Sequence, residues 1–340
     1  MITIDGSFGE GGGQVLRTAL SLSLVTQQPF RIENIRAGRQ RPGLLHQHLA
    51  AVTAASAIGQ AKVTGAALGS RVLEFEPQTI LPGEYAFAVG TAGSVTLVLQ
   101  TVLPALALAS GPSSLVLEGG THNPMAPPVD FLEHAFLPLL HRMGPAVRLK
   151  LDRYGFYPAG GGKIRVTVQP AAALQRLDLL ERGAVTRCSA RSIVANLPSH
   201  IAERELKVLK HHLHLRPADV EVHEAKSAGP GNVVLVRIDC AHLTEVFAGF
   251  GQQGVRAEVV AEKAAQRARQ YLDGPVPVAE HLADQLLLPI ALAGGGCFRT
   301  FALSQHSLTN LEVLKKFLNL EIKTESAADG SVRIELRRND

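Results

Sequence analysis

Tryptophan is absent from this chain of 340 residues, and 4 tyrosines with 12 phenylalanines leave aromatics at 5%. The core must therefore be built from Ala, Leu and Val. Cysteine is scarce as well. Cys188, Cys240 and Cys297 are odd in number and show no CxxC spacing, which argues against a disulfide scaffold or a zinc ribbon and suits a reducing cytosol. No long apolar run is present. The longest, residues 95–109, is about 15 residues, is interrupted by Gln100 and Pro104, and is too short to span a bilayer. The first residues lack a basic region and carry Asp5 and Glu10, so no signal peptide is read and a cytoplasmic protein is expected. Charge is nearly balanced, 34 Lys and Arg against 30 Asp and Glu, and the net +4 permits an anionic partner without demanding one. With 46% hydrophobic and 19% charged residues, the chain is an ordinary globular one with room for two domains.

What is present is a repeated order of elements. A strand at residues 1–5 runs into the glycine cluster Gly9-Glu10-Gly11-Gly12-Gly13. A helix at 14–25, a strand at 30–35, a basic loop at 36–42, a helix at 44–58 and two strands near 62–66 and 72–75 follow, giving β-α-β-α-β-β. The order returns from residue 85, with a loop at 119–128 before a helix at 129–142 that Pro138 should kink. A third, less regular copy has a helix at 278–292, a strand at 298–303, a helix at 310–318 and a closing pair at 321–324 and 332–336. Thr309 and Glu312 form a capping box that predicts where its last helix begins. Residues 182–274 break the pattern and read as a small inserted α/β domain. The main domain is then 1–181 plus 275–340, with repeats at about 1–79, 83–170 and 275–340.

The glycine loops invite nucleotide readings that fail in detail. Gly9-Glu10-Gly11-Gly12-Gly13-Gln14 departs from GxGxxG at Gln14, and Gly160-Gly161-Gly162-Lys163 departs from the Walker pattern at Tyr157 and Ile164. A glycine loop at a helix start still offers N–H groups to an anion, although tight turns explain the glycines equally well. Arg36-Ala37-Gly38-Arg39-Gln40-Arg41, with Arg17 behind the glycine cluster, supplies guanidinium forks suited to phosphate, or else a solvated loop. His211, His212 and His214 lack a Cys or carboxylate partner and read as solvent-facing. His306 sits in the loop of copy three that corresponds to the basic loop of copy one and to residues 119–128 of copy two. Three equivalent loops tend to converge on one face.

Taken together, several strings resemble the RNA 3′-terminal phosphate cyclase family. They are the glycine cluster with Gln14 and Arg17, Arg36-Ala37-Gly38-Arg39, Pro42-Gly43-Leu44-Leu45, Gly155-Phe156-Tyr157-Pro158-Ala159-Gly160-Gly161-Gly162 and Leu282-Ala283-Asp284-Gln285. The resemblance covers essentially the whole chain. It implies an α/β (α+β) fold of three such repeats plus an inserted domain, an architecture shared with enolpyruvyl transferases. It also implies an ATP-dependent conversion of RNA 3′-phosphate ends to 2′,3′-cyclic phosphates through histidinyl-AMP and RNA–pp–A, with low RNA sequence specificity.

By the same resemblance, His306 is the nucleophile and Glu10 the ligand of a divalent metal, Mg²⁺ or Mn²⁺. The ATP pocket is formed by Gln100, Pro127, Phe131, His281, Leu282, Ala283, Asp284 and Gln285. Arg17, Arg36, Arg39, Gln47 and His48 lie near the phosphates and the RNA end. Some members carry Tyr where this chain has His281, whose imidazole would stack more weakly on adenine. Two rivals remain at this point: a ribosome-biogenesis branch of the family that lacks the histidine, and a small-anion enzyme like the enolpyruvyl transferases. The oligomeric state, a homodimer among the options, and the physiological RNA are open.

Overall fold

The structure is a computed structural model describing residues 1–339. Its first unit is β1 (Ile2–Asp5), α1 (Gly13–Thr26), β2 (Phe30–Glu33), α2 (His46–Gly59), β3 (Lys62–Thr64) and β4 (Leu73–Glu76). The second is β5 (Glu84–Ala88), α3 (Val95–Ala107), β6 (Ser113–Gly119), the helical segment α4 (Val129–Phe131) and α5 (Leu137–Arg142), β7 (Ala146–Arg153) and β8 (Gly162–Gln169). A short strand, β9 (Leu177–Leu179), comes next. Then follow β10 (Val185–Ala195), α6 (His200–Leu213), β11 (Val220–Glu224), β12 (Gly231–Cys240), β13 (Thr244–Phe250) and α7 (Ala257–Asp273). The chain closes with α8 (Glu280–Leu292), β14 (Gly295–Thr300), α9 (Gln305–Phe317), β15 (Leu320–Ser326) and β16 (Val332–Arg338).

Three of the four sheets share one plan. Their orders are β1-β2-β4-β3, β5-β6-β8-β7 and, read from the same end, β9-β14-β16-β15. In each, the first two strands are parallel and the last two join antiparallel. The third sheet takes its first strand from Leu177–Leu179, ahead of the intervening segment, and not from residues after 275. That strand is three residues long, too short to leave a periodic signal. The fourth sheet, β11-β10-β12-β13, is covered by α6 and α7 and has its own apolar cluster around Leu209, Val236, Ala264 and Tyr271.

The three repeats meet at α1, which packs against α2, α3 and α9. Leu16, Ala19, Leu20, Leu22 and Leu24 are all fully buried there. Small hydroxyls let the helix pack so closely, because each finds a partner: Ser21 Oγ donates to Thr101 O at 2.6 Å, and Thr18 Oγ1 to Asn310 Oδ1 at 3.0 Å. The kink expected at Pro138 takes the form of a π-turn at Leu132–Phe136, where the Leu137 N–H bonds Leu132 O. Proline has no N–H to continue the α pattern, and the wider turn absorbs the gap.

Helix α9 begins earlier than the sequence predicts. Ser304 is its N-cap, accepting from Ser307 N at 3.2 Å, while Thr309 donates within the helix to Gln305 O at 2.7 Å. Glu312 pairs with Lys315 instead of closing a capping box. The reason is tertiary: Ser307, Thr309 and Asn310 are buried against the rest of the chain, so the extra turn is held from outside. His306 therefore stands on the first turn of a helix, not in a loop. No described helix is long and apolar enough to cross a membrane.

Candidate active site

The site forms where the glycine turn between β1 and α1 rests on the first turn of α9. Glu10 N donates to Thr309 Oγ1 at 3.1 Å. A Cβ at Gly9, whose φ is +63°, would fall 2.2 Å from that same oxygen, and one at Gly13 would fall 2.2 Å from His48 Nε2. Both glycines are thus required by close approach. The turn carries Glu10 to one side of His306, and α1 carries Gln14 to the other.

His306 is hydrogen-bonded at one ring nitrogen and faces a carboxylate with the other. Nδ1 bonds Gln14 Oε1, and Nε2 lies 3.3 Å from Glu10 Oε2. Gln14 spends its amide nitrogen on Asp284, at 2.8 and 3.1 Å to the two carboxylate oxygens. Its oxygen must then accept, so His306 Nδ1 carries the proton and the neutral ring has its lone pair on Nε2. Asp284 is fixed in turn by Asn310, whose Nδ2 donates to the Asp284 backbone oxygen at 3.2 Å. The relay Asp284–Gln14–His306 joins α8, α1 and α9. The other Glu10 oxygen is paired with Arg39.

Burial sets the electrostatics. It lowers the His306 pKa below the ordinary imidazole value, with Asp284 opposing and Arg17 and Arg39 assisting. It raises the Asp284 carboxyl, against the pull of Gln14, His306 and Arg17. Burial also brings Arg17 down to about 10, while Asp284 supports its charge. A neutral imidazole flanked by arginines is a competent nucleophile at neutral pH.

Beyond His306 opens a cavity of about 590 Å³. Gln100, Pro127, Phe131, His281, Asp284 and Gln285 all line it. Gln100 Nε2 donates to Gln285 Oε1, so these two amides face one another across the cleft. Leu282 and Ala283 do not line it. They point into the core, 0% and 2% exposed, and hold α8 in place. The opposite wall belongs to the segment between repeats, with Ala248 and Phe250 of β13 and Lys263 and Arg267 of α7. Arg267 Nη1 lies 3.5 Å from His281 Nε2. Buried Glu245 of β13, pushed up to about 8 by desolvation, accepts from Ala279 N at 2.6 Å and ties this wall to the start of α8.

The residues expected at the phosphate end divide. Arg17, near His306 and Asp284, and Arg39, on Glu10, flank the histidine. Arg36 Nη1 donates to Arg41 O at 2.6 Å and Gly43 O at 2.9 Å, so it braces its own loop. Gln47 Oε1 accepts from Ser94 N at 2.7 Å, a strut between repeats. His48 is buried under Gly13, 7% exposed. Sequence reasoning assigned no role to Gln14, Asn310, Lys263 or Arg267. Gln14 was visible as the residue that spoils a dinucleotide motif and as the end of the glycine string, with no role attached. The other three carry no local pattern.

With this geometry in view, comparison with known proteins is specific. The sequence model of the family described as RNA 3′-terminal phosphate cyclase matches residues 8–324. The chain is 54% identical to the protein named RNA 3′-terminal phosphate cyclase of Koribacter versatilis, over 100% of this chain and 96% of that one. It is 52% identical to the one of Pseudomonas fluorescens, over 98% and 97%, and 50% identical to the one of Salmonella typhimurium, over 97% of each. A site whose histidine, acidic residue and amide relay come from elements distant in sequence is thus embedded in similarity along the whole chain, and this chain belongs to the RNA 3′-terminal phosphate cyclase family.

Proposed function

We propose that this protein uses ATP to convert an RNA 3′-terminal phosphate to a 2′,3′-cyclic phosphate by way of a covalent adenylate on His306. The observation that carries the reading is the contact of His306 Nδ1 with the Gln14 side-chain oxygen, from which the proton is assigned to Nδ1. Gln14 holds the proton on Nδ1, leaving the Nε2 lone pair at the mouth of a cavity large enough for a nucleotide. Nε2 attacks the α-phosphorus, the bond to the bridging oxygen of the β-phosphate breaks, and pyrophosphate leaves. An oxygen of the RNA 3′-phosphate then displaces the imidazole, returning the electron pair to Nε2 and giving RNA–pp–A. The neighbouring 2′-OH attacks the terminal phosphorus, loses its proton, and expels AMP. Splitting one displacement into several lets ATP cleavage drive an uphill ring closure.

Gln100, Gln285, Pro127, Phe131 and His281 are suited to hold the adenosine, with apolar surface for the base and amides for its polar edge. Arg17 and Arg39 offset phosphate charge. Glu10 fits a divalent ion as a single carboxylate, the mode in which Mg²⁺ or Mn²⁺ is shared with substrate phosphates. The Glu10 carboxylate, 3.3 Å from His306 Nε2, offers oxygen donors to a cation beside the nucleophile and leaves the Nε2 lone pair free. When bound, such an ion would neutralise charge on the triphosphate. No group of three or more acidic, His or Cys side chains that could hold a metal ion occurs among the described residues, so at Glu10 the substrate phosphates would have to complete the donor set.

The test is incubation with α-labelled ATP and metal, followed by denaturation. Label retained on the protein, in an acid-labile and base-stable bond, is expected. A binding protein or a small-anion enzyme would retain none.

A further inference from the structure

The three repeats provide an internal control on surface charge. In the first sheet the closing antiparallel pair sets Lys62 opposite Glu76. In the third it sets Glu321 opposite Arg337, Lys323 opposite Glu335 and Glu325 opposite Arg333. Opposite charges face each other, as sheet stability favours. The second repeat breaks the rule. Lys150 stands opposite Arg165, and Arg153 opposite Lys163, with Arg148 one step along. A bulge between Leu151 and Arg153 brings Arg153 into register with Lys163, onto the face that carries Lys150. Asp152 answers Arg165 at 2.5 Å, and Glu118 answers Lys163 at 2.9 Å. Arg148, Lys150 and Arg153 have no carboxylate partner among the described residues. Like charges placed directly across a ladder disfavour the bare protein, and an anionic ligand turns that liability into affinity.

Two neighbouring features say which anion. The cationic face opens on a groove of about 490 Å³ shared with the inserted segment, where Lys226 adds charge and Asp152 and Glu224 oppose it. The chain runs on from Arg153 to Tyr157, 70% exposed, in a loop anchored by buried Phe156 and closed by Gly160 N donating to Phe156 O at 2.7 Å. Arg153 Nε also bonds the Gly161 oxygen of this loop, which joins the aromatic to the cationic face. A row of cations on a strand that leads into a loop with an exposed aromatic residue fits a single-stranded nucleic acid, whose phosphates follow the charges while a base stacks on the ring. The loop also leads back to the catalytic end. A Cβ on Gly160 would lie 2.9 Å from Ala92 Cα, and a Cβ on Gly93, next to Ala92, would lie 2.9 Å from Gln47 Cβ.

From this arrangement we infer that the outer face of β7 and β8, with Tyr157, binds the body of the RNA on the 5′ side of the end being processed. The inference rests on the functional reading above for the identity of the strand, but its geometry is independent of His306. It assigns a role to the Gly155–Gly162 string, which the chemistry of the site does not use.

The experiment compares the wild type with the triple variant Arg148→Ala/Lys150→Ala/Arg153→Ala and with Tyr157→Ala. The probes are a 3′-phosphorylated RNA of about 20 nucleotides and a trinucleotide, with direct binding measured over a salt series in the absence of ATP. The triple variant should bind the long RNA at least tenfold more weakly, with a salt slope shallower by about 2, following ~0.7 per phosphate contact on single strands. Tyr157→Ala should weaken it several-fold without changing the slope. Trinucleotide cyclisation and self-adenylylation should stay at wild-type levels in both variants. Unchanged long-RNA affinity and slope in the triple variant overturn the proposal, as does a wild type that binds long and short RNA equally. A wild type that takes no label from ATP yet loses long-RNA binding in the triple variant would instead overturn the catalytic reading and leave this surface standing.

Discussion

His48 and His306 occupy corresponding places, the opening turns of α2 and α9, each helix following the second strand of its repeat. Their chemistry is opposite. His48 Nδ1 accepts from Leu45 N at 3.2 Å, so its proton sits on Nε2, packed beneath Gly13. His306 Nδ1 donates to Gln14, so its lone pair is on Nε2, and its side chain is 45% exposed. Burial and the charges of Arg17 and Arg36 lower the His48 pKa to about 3. One ring is a buried neutral wedge, and the other turns an unprotonated nitrogen out of a half-exposed side chain. Equivalent backbone positions give a histidine its address, and the neighbour at Nδ1 decides what it does there.

The sharpest way to break this contrast is to remove the free ring. His306→Ala or His306→Asn should abolish both the ATP-derived label and cyclisation from ATP, a loss of at least about 10⁴-fold because the first covalent step has no other nucleophile. Supplied RNA–pp–A should still close its ring, since that step needs only the 2′-OH and the phosphate-binding groups. Thermal melting should hold, because Ser304 caps α9 and His306 adds no core contact. Label appearing on the His306→Ala protein would sink the assignment, and finding it on His48 would erase the contrast between the two rings.

Next in size comes the residue that makes His306 different. Gln14→Ala removes the acceptor at Nδ1, so the ring can turn and change tautomer. Adenylylation should fall about 10²-fold, the scale of a misoriented reacting group. Closure of supplied RNA–pp–A should be affected far less, which marks Gln14 as a positioning residue. Gln14→Glu should instead raise the His306 pKa through the added carboxylate and move the adenylylation profile toward higher pH. An unshifted profile in that variant would mean Gln14 does not set the proton position.

How much of this was legible in the sequence follows from range. The repeat order could be read because each α and β period lies within a short window. The start of α9 could not, since Thr309 and Ser304 offer the same hydroxyl and only the packing of Ser307 and Asn310 selects between them. Strand β9 escaped for want of length. In the site, Glu10 and Arg17 stood out through the strings around them, and His306 through the place of its segment in the third copy. The relay through Gln14, Asp284 and Asn310 joins three helices, and the wall carrying Lys263 and Arg267 belongs to another sheet, so no local pattern reports either. Leu282 and Ala283 show the converse limit. A motif includes residues that shape the helix as well as those that face the ligand.

The arginines give a smaller effect, and the structure separates two residues that the sequence treats alike. Arg39 pairs with Glu10 at the cleft, while Arg36 braces its loop through Arg41 O and Gly43 O. Arg39→Ala should cut cyclisation of an RNA 3′-phosphate about 10-fold or more while leaving most of the label from ATP. Arg36→Ala should act mainly on stability, by about 1–2 kcal/mol, because two loop carbonyls lose their donor. Equal loss of both half-reactions in Arg39→Ala would move that side chain to the ATP.

The smallest expected effect tests the other half of the contrast, the claim that His48 is locked neutral. Its folded pKa, about 3, lies below the ordinary 6.5. Above 6.5 the ring is neutral in both folded and unfolded chains, and His48 adds no pH dependence. Below 6.5 the unfolded chain takes up a proton that the folded one refuses, so stability falls as pH falls and goes on falling toward pH 3. Between pH 6.5 and 5.5 the loss amounts to about 1 kcal/mol. His134, His281 and His306 are also shifted down and contribute with the same sign, so the wild-type slope alone does not isolate His48. The difference between wild type and His48→Asn does, provided both are unfolded by denaturant at each pH. The variant should start lower, because it leaves space beneath Gly13, and should then lose about 1 kcal/mol less across that unit of pH. Parallel curves would mean that His48 titrates in the folded protein much as it does in the unfolded one. The ring beneath Gly13 would then be as free to change charge as an exposed histidine, and its neutrality could no longer be what separates it from His306.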